Sequence, residues 1–176
     1  MKIDHKILIL NTLLIFFSGF YAKAQESTEP QKPGSALYLE GYGNNMTFSL
    51  NYEHYAFSVG KIHTMARIGF GGVPNRYGIP VGLHFLKGKN GKYIDLGLGF
   101  SYVNGGQVIL GSNRPKVRGE GIFFTPTIGY RRQLSDKGFF FRVNAGLAFK
   151  LKEYNEALGG NKSTLPLLGI SFGKSF

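Results

Sequence analysis

Apolar and polar residues alternate with a period of two along most of the chain beyond residue 35. In the clearest stretch, residues 93–103, Ile94, Leu96, Leu98 and Phe100 alternate with polar or small residues. This period is typical of a β-strand with two different faces. Eight such segments occur, and no helical period of comparable length competes with them. They span residues 35–43, 46–57, 62–71, 77–86, 93–103, 122–134, 139–151 and 165–176.

The segments between these strands alternate between short and long. Short turns are predicted around residues 58–61, 87–92 and 135–138, and long loops at about 104–121 and 152–164. Short turns on one side and longer loops on the other are typical of transmembrane barrels. The pattern therefore predicts an all-β fold, an eight-stranded antiparallel up-and-down transmembrane β-barrel over residues 35–176.

The N-terminus predicts export. Lys2 and Lys6 precede an apolar run at residues 7–17, and Ala22-Lys23-Ala24 is a small-x-small cleavage site. A span needs about 20 apolar residues, so a signal peptide of residues 1–24 is favoured over an uncleaved anchor. Residues 25–34 are polar with two prolines and predict a periplasmic lead-in without a folded element.

The charges on the apolar face indicate which way that face points. His54, Arg132 and Lys174 share the apolar side of their segments, and each lies near the predicted periplasmic strand end. An outward Arg or Lys costs roughly 2–4 kcal/mol at the bilayer midplane but about 0–1 near the interface. This placement favours an apolar face towards lipid. A soluble periplasmic lipocalin-like binder, with apolar residues inward, is the alternative.

Charged residues on the polar face fall at similar heights along their strands. On this register they point into the lumen near the periplasmic rim and predict one layer of three acids and three arginines. Because an unpaired buried charge is costly, a compensated cluster that fills the lumen is favoured over a proton path or gated pore. The members of this lumen charge cluster are Glu40, Glu53, Arg67, Asp95, Arg131 and Arg142.

Two prolines disturb the strand pattern. Pro80 and Pro126 fall inside predicted strands, where a proline removes one hydrogen bond of the ladder. A closed barrel has no free edge on which to place them. A bulge or a locally broken ladder is therefore expected at both.

Composition and charge narrow the function classes. The chain has 26 Gly, 16 Phe and 10 Tyr but no Cys, which excludes disulfides and a thiol nucleophile. The net charge is +11, yet Lys and Arg are scattered over turns and strands. This distribution argues against a nucleic-acid interface.

The signal peptide, the eight amphipathic strands and the terminal Phe176 resemble small outer-membrane barrels of the OmpA and OmpX type. Residues 36–41 (ALYLEG) and 49–53 (SLNYE) more closely resemble uncharacterised barrel proteins of Bacteroidota. The resemblance implies an outer-membrane location in a Gram-negative bacterium. It also implies that the barrel-assembly machinery reads the last strand, where Gly169, Phe172 and Phe176 fit the assembly signal and Lys174 departs from it.

The sequence predicts no enzyme, cofactor or metal site. His54 lies near the inner rim, where a lipid-deacylating Ser–His site is not expected. His63 and His84 point inward on neighbouring strands without an identified third ligand, so a lumen-filling role is favoured over metal binding.

The leading hypothesis is a non-enzymatic outer-membrane barrel with a plugged lumen and a structural or loop-mediated role. Its expected partners are membrane lipid and, through basic loop residues, the phosphates of lipopolysaccharide. A solvated loop surface is the alternative explanation for those charges. A narrow channel, a membrane-embedded lipid-modifying enzyme and the soluble binder are the alternatives. The basic loop residues are Arg114, Lys116 and Arg118.

Overall fold

Eight antiparallel strands form a closed ring in which each strand pairs with its sequence neighbours and β8 pairs with β1. The computed structural model describes residues 32–45, 47–74, 76–106, 118–134, 137–153 and 163–176; the predicted signal peptide and most of the lead-in lie outside them. The predicted all-β, eight-stranded up-and-down barrel is confirmed. Its strands are β1 (Ala36–Gly41), β2 (Phe48–Val59), β3 (Ile62–Val73), β4 (Arg76–Lys89), β5 (Lys92–Gly106), β6 (Arg118–Arg132), β7 (Gly138–Glu153) and β8 (Thr164–Ser175).

One end of the barrel, here named the turn end, carries the short connections. Asn90-Gly91 joins β4 to β5 with positive φ at both residues (55° and 71°), the type I′ geometry that matches strand twist. The connection from β2 to β3 has Gly60 at φ 58°. Both Ala36 and Ser175 lie at this end, paired with each other. The opposite end is named the loop end.

β1 is shorter than the alternation predicts. The segment 35–43 was expected to be extended, but the strand ends at Gly41, and Tyr42 has a φ of 57°. A positive φ at a non-glycine residue is uncommon and turns the chain away from the sheet. Residues 43–45 are buried, so the β1–β2 connection bends into the barrel.

The apolar face points outward. Leu39, Phe70 and Leu168 expose 63, 62 and 72% of their surface, whereas the alternate residues are mostly buried. The reversed orientation, which a soluble lipocalin-like binder requires, is therefore wrong for this chain. No helix in the part of the chain that the structure describes is long and apolar enough to cross a membrane.

The two prolines interrupt one ladder each. Pro80 pairs with Ser101 on β5, but on the β3 side the pairing passes from Ile68–Val81 directly to Gly71–Gly78. Pro126 pairs with Leu98 on β5, and the β6–β7 pairing is likewise skipped around it. The expected local breaks are present, and the register is the same on either side of each gap.

Three apolar clusters pack the inside of the barrel. Two lie towards the turn end and contain Tyr38 with Phe140, and Met65 with Leu86, respectively. The third lies towards the loop end around Phe123. Between these ends the interior is polar and charged, so the candidate site lies in the enclosed middle of the barrel.

Candidate functional site

The structure brings together all six residues of the predicted charge cluster. They come from six different strands, and each is at most 4% exposed. Strand alternation explains this convergence, because each residue occupies an inward position at a similar height along its strand. The residues are Glu40 on β1, Glu53 on β2, Arg67 on β3, Asp95 on β5, Arg131 on β6 and Arg142 on β7.

Acids and arginines alternate in space. The Glu40 carboxylate lies 2.5 Å from Arg67 Nη2 and 2.6 Å from Arg142 Nη2. Glu53 lies 2.5 Å from Arg131 Nη1 and 3.2 Å from Arg142 Nη1. Asp95 lies 3.4 Å from Arg131. Three carboxylates and three guanidinium groups thus form one connected and charge-balanced network.

His84 extends this network. Its Nδ1 lies 2.6 Å from Asp95 Oδ1, and its Nε2 lies 3.2 Å from Arg142 Nη1. His63, which the sequence places beside it as a conceivable metal partner, instead bonds Ser58 Oγ at 2.7 Å through Nδ1. Among the described residues no group of three His, Cys, Asp or Glu could hold a metal ion.

Aromatic rings support the charged layer on the side of the turn end. The Tyr38 hydroxyl donates a hydrogen bond to Glu53, and the Tyr38 ring stacks on Phe140 at a centroid distance of 4.4 Å. The guanidinium groups of Arg142 and Arg131 lie 5.0 and 4.7 Å from the rings of Tyr38 and Phe140. Such cation–π contacts stabilise a desolvated cation.

Gln133 closes the layer towards the turn end. Its Oε1 accepts a hydrogen bond of 2.8 Å from Arg131 Nε, and its Nε2 donates one of 2.5 Å to Gly34 O. Sequence reasoning missed Tyr38 and Gln133 as members of the network. Their positions along the strands could have indicated this. Tyr38 lies two residues from Glu40 and Gln133 two residues from Arg131, so each lies on the same strand face as its charged neighbour.

The β1–β2 connection covers the layer from the loop side. The backbone N–H of Asn44 donates to Glu40 Oε2 at 3.2 Å, and Ser101 Oγ donates to the backbone carbonyl oxygen of Asn44 at 2.5 Å. Glycines of the neighbouring strands make room for this connection. A Cβ on Gly99 would lie 2.5 Å from Asn44 Nδ2, and one on Gly78 would overlap Asn45 Oδ1.

The other predicted site residues lie elsewhere. Arg114 and Lys116 are outside the described residues, and Arg118 is described only by its backbone, at the start of β6. On β8, Gly169 faces inward and Phe172 faces outward, 42% exposed, with Phe141 at 5.3 Å.

Two further residues of the last segment lie at the turn end. Phe176 follows β8 and donates its backbone N–H to Ser35 O at 2.9 Å. Lys174, which departs from the expected assembly signal, is exposed on the outer face.

A Ser–His pair that the sequence did not reveal lies on the outer surface. Ser35 Oγ is 2.8 Å from His54 Nδ1, and Tyr52 OH is 3.5 Å from the same nitrogen. A catalytic histidine normally needs a third group that orients its other nitrogen. None of the carboxylates in the described ranges contacts this ring.

Comparisons with known proteins give a structural likeness. No protein-family model matches the chain, and no curated protein sequence matches it. Among solved structures, the chain is similar to the N-terminal β-barrel domain of Pseudomonas aeruginosa OprF. The TM-score is 0.50 and the sequence identity 12%, over 83% of this chain and 99% of that domain. At this identity the likeness concerns the fold alone, which is that of a small β-barrel.

Proposed function

We propose that the chain is an integral outer-membrane protein of a Gram-negative bacterium, with a structural role and no enzymatic activity. The observation that carries this proposal is the closed ring with its apolar face outward. A bilayer core offers no hydrogen bonds to the backbone, so only helices and closed barrels span it. The similarity to the OprF barrel domain and the predicted signal peptide support the same location.

The interior supports a closed barrel in preference to a channel. An eight-stranded barrel has an interior that side chains alone fill. Here a layer of paired charges crosses the interior, and the β1–β2 connection lies above it. We therefore expect no steady single-channel conductance in planar bilayers. A reproducible open level would replace the structural role with that of a narrow channel.

Fractionation and gel mobility test the proposed location. The mature protein should start at Gln25, be found in the outer-membrane fraction and migrate differently on a gel before and after boiling. A folded barrel resists detergent denaturation until it is heated, which causes the mobility shift. Recovery in the soluble periplasmic fraction with no heat-dependent shift would contradict the proposal.

The basic loop residues provide the proposed contact with lipopolysaccharide. Charge-assisted hydrogen bonds from Arg and Lys to phosphate are strong. Replacing Arg114, Lys116 and Arg118 together with Ala should raise sensitivity to polymyxin and detergent. A triple variant of Lys61, Lys137 and Lys174, which lie at the turn end, is the matched control. Equal sensitivity of both variants and the wild type would exclude the lipopolysaccharide contact.

In the part of the chain that the structure describes, the Ser35–His54 pair is the one observation that favours an enzyme. Within the described ranges it lacks an orienting acid, so we propose that it fastens the start of β1 to β2. Phospholipid vesicles containing the folded barrel should release no more fatty acid than vesicles containing S35A. Release that depends on Ser35 would establish a membrane-embedded hydrolase instead.

A further inference from the structure

Three cations lie side by side on the outer face at the turn end. Lys89 on β4 is directly opposite Lys92 on β5, and Lys92 is directly opposite Arg132 on β6. All three occupy outward positions, since the interior positions of β5 and β6 beside them are taken by Tyr93 and Arg131. We name Lys89, Lys92 and Arg132 the cation row.

The cation row is unfavourable by itself. Like charges directly opposite each other on neighbouring strands repel and destabilise the sheet. The carboxylate side chains that the structure describes lie elsewhere: Glu40, Glu53 and Asp95 are inside the barrel, and Glu120 bonds Asn104 near the loop end. An anionic partner from outside the described chain would remove this repulsion.

The next rows towards the middle of the barrel change from polar to apolar. Lys87, Ile94 and Tyr130 form the row adjacent to the cation row. Phe85, Leu96 and Ile128 form the following one. Tyr130 is 46% exposed and has the position of the aromatic residues that flank the apolar band of membrane barrels.

A groove lies over the β4 and β5 part of the cation row and over the adjacent row of Lys87, Ile94 and Tyr130. Its volume is about 450 Å³, and its walls include Lys89, Lys92, Ile94 and Tyr130. Lys89 and Lys92 lie at one end of the groove, and Ile94 and Tyr130 lie at the other beside Lys87. This arrangement matches a molecule with an anionic head and a hydrocarbon body. In a barrel that spans a membrane, such a molecule is a phospholipid of the leaflet at the turn end.

We propose that this groove binds an anionic phospholipid of the phosphatidylglycerol type. Its phosphate lies on Lys89 and Lys92 in the groove and on the neighbouring Arg132, and its acyl chains run along Ile94 and leave the groove over Leu96. The proposal rests on the proposed membrane function. Arg and Lys bind phosphate through charge-assisted bonds, and cations near a membrane surface attract anionic lipid. Among the described residues, no other row at the turn end places three cations side by side; Lys174, for example, lies between Leu37 and Phe139.

Spin-labelled lipids test the proposal directly. The full mature barrel is inserted into phosphatidylcholine vesicles with a trace of labelled phosphatidylglycerol or labelled phosphatidylcholine. The fraction of each label that is immobilised at the protein surface is then compared. The wild type should immobilise labelled phosphatidylglycerol several-fold more strongly, and high salt should reduce the preference. The variant K89A/K92A/R132A should immobilise both labels equally.

The control variant is K61A/K137A/K174A, which removes the same charge from the same end of the barrel. It should keep the preference for phosphatidylglycerol. An equal loss in both variants, or a wild type without preference, would overturn the lipid site while membrane insertion stands. A wild type that immobilises neither label would overturn membrane insertion, and the lipid site with it.

Discussion

Arg142 contacts every acid of the buried network. Its guanidinium nitrogens lie 2.6 Å from Glu40, 3.2 Å from Glu53 and 3.8 Å from Asp95. Arg67 contacts one acid and Arg131 contacts two, so Arg142 balances a larger share of the negative charge. This makes it the most informative position at which to test whether the network stabilises the barrel.

Replacement of Arg142 by Met should destabilise the barrel strongly. It leaves buried carboxylates without compensation, and breaking a buried pair in this way costs about 3–5 kcal/mol. The free energy of unfolding can be measured by urea titration of the barrel folded in phospholipid vesicles. K174M, at an exposed outward position near the turn end and outside the cation row, is the control and should cost about 1 kcal/mol or less. A similar loss in both variants would contradict a stabilising network.

The double variant R142M/E40Q separates charge from packing. Removing the charge of Glu40 together with that of Arg142 restores the balance of the layer, so the double variant should be more stable than R142M. The coupling energy of the two residues follows from a double-mutant cycle. No coupling would mean that R142M acts through lost packing alone.

The charged members of the network could be predicted from the sequence. The strand face on which a residue lies, and its distance from the strand end, decide which residues meet inside a barrel. Glu40, Glu53 and Arg142 were identified from this alone. The role of His84 was not, because the sequence gives its face but not which acid its ring reaches. Tyr38 and Gln133 were missed for a related reason, since their contacts depend on side-chain conformation.

At the scale of the elements, the strands and their order follow from alternation and turn residues. The inward path of the β1–β2 connection does not follow from these patterns. The alternation continues to Gly43, and nothing local indicates that Asn44 and Asn45 fold inward. Their positions depend on distant partners, namely Ser101 on β5 and the glycines at 78 and 99.

A side chain at Gly99 should loosen the β1–β2 connection. The Cβ of G99A would lie 2.5 Å from Asn44 Nδ2 and 2.7 Å from Thr125 Oγ1. Overpacking of this kind costs about 1–3 kcal/mol. Hydrogen exchange at residues 42–45 should therefore become faster in G99A.

Gly41 provides the matched control for this prediction. A Cβ there would lie 3.4 Å from the Phe48 ring and 3.9 Å from Ile170 Cγ2, which are ordinary van der Waals contacts. G41A should therefore leave the exchange of the connection unchanged. Exchange in G99A as slow as in the wild type would show that the connection does not depend on the glycine at 99.

At the scale of the whole molecule, exposure by itself does not distinguish water from lipid around the barrel. The outer face carries Leu98 and Phe100 near the middle of β5, both nearly half exposed. In water, replacing such a residue with lysine is close to neutral or favourable. In a bilayer the same change places a charge in hydrocarbon, so its cost reports the surrounding medium.

Leu98→Lys should therefore destabilise the barrel according to its depth in the membrane. At the midplane an outward lysine costs about 2–4 kcal/mol, against about 0–1 near the interface. Leu151→Lys, two residues from the end of β7 and 58% exposed, is the matched control at the rim. Unfolding free energies of both variants in phospholipid vesicles give the comparison. Equal and small effects would show that lipid does not surround the middle of the barrel, whereas a cost confined to Leu98→Lys requires that it does.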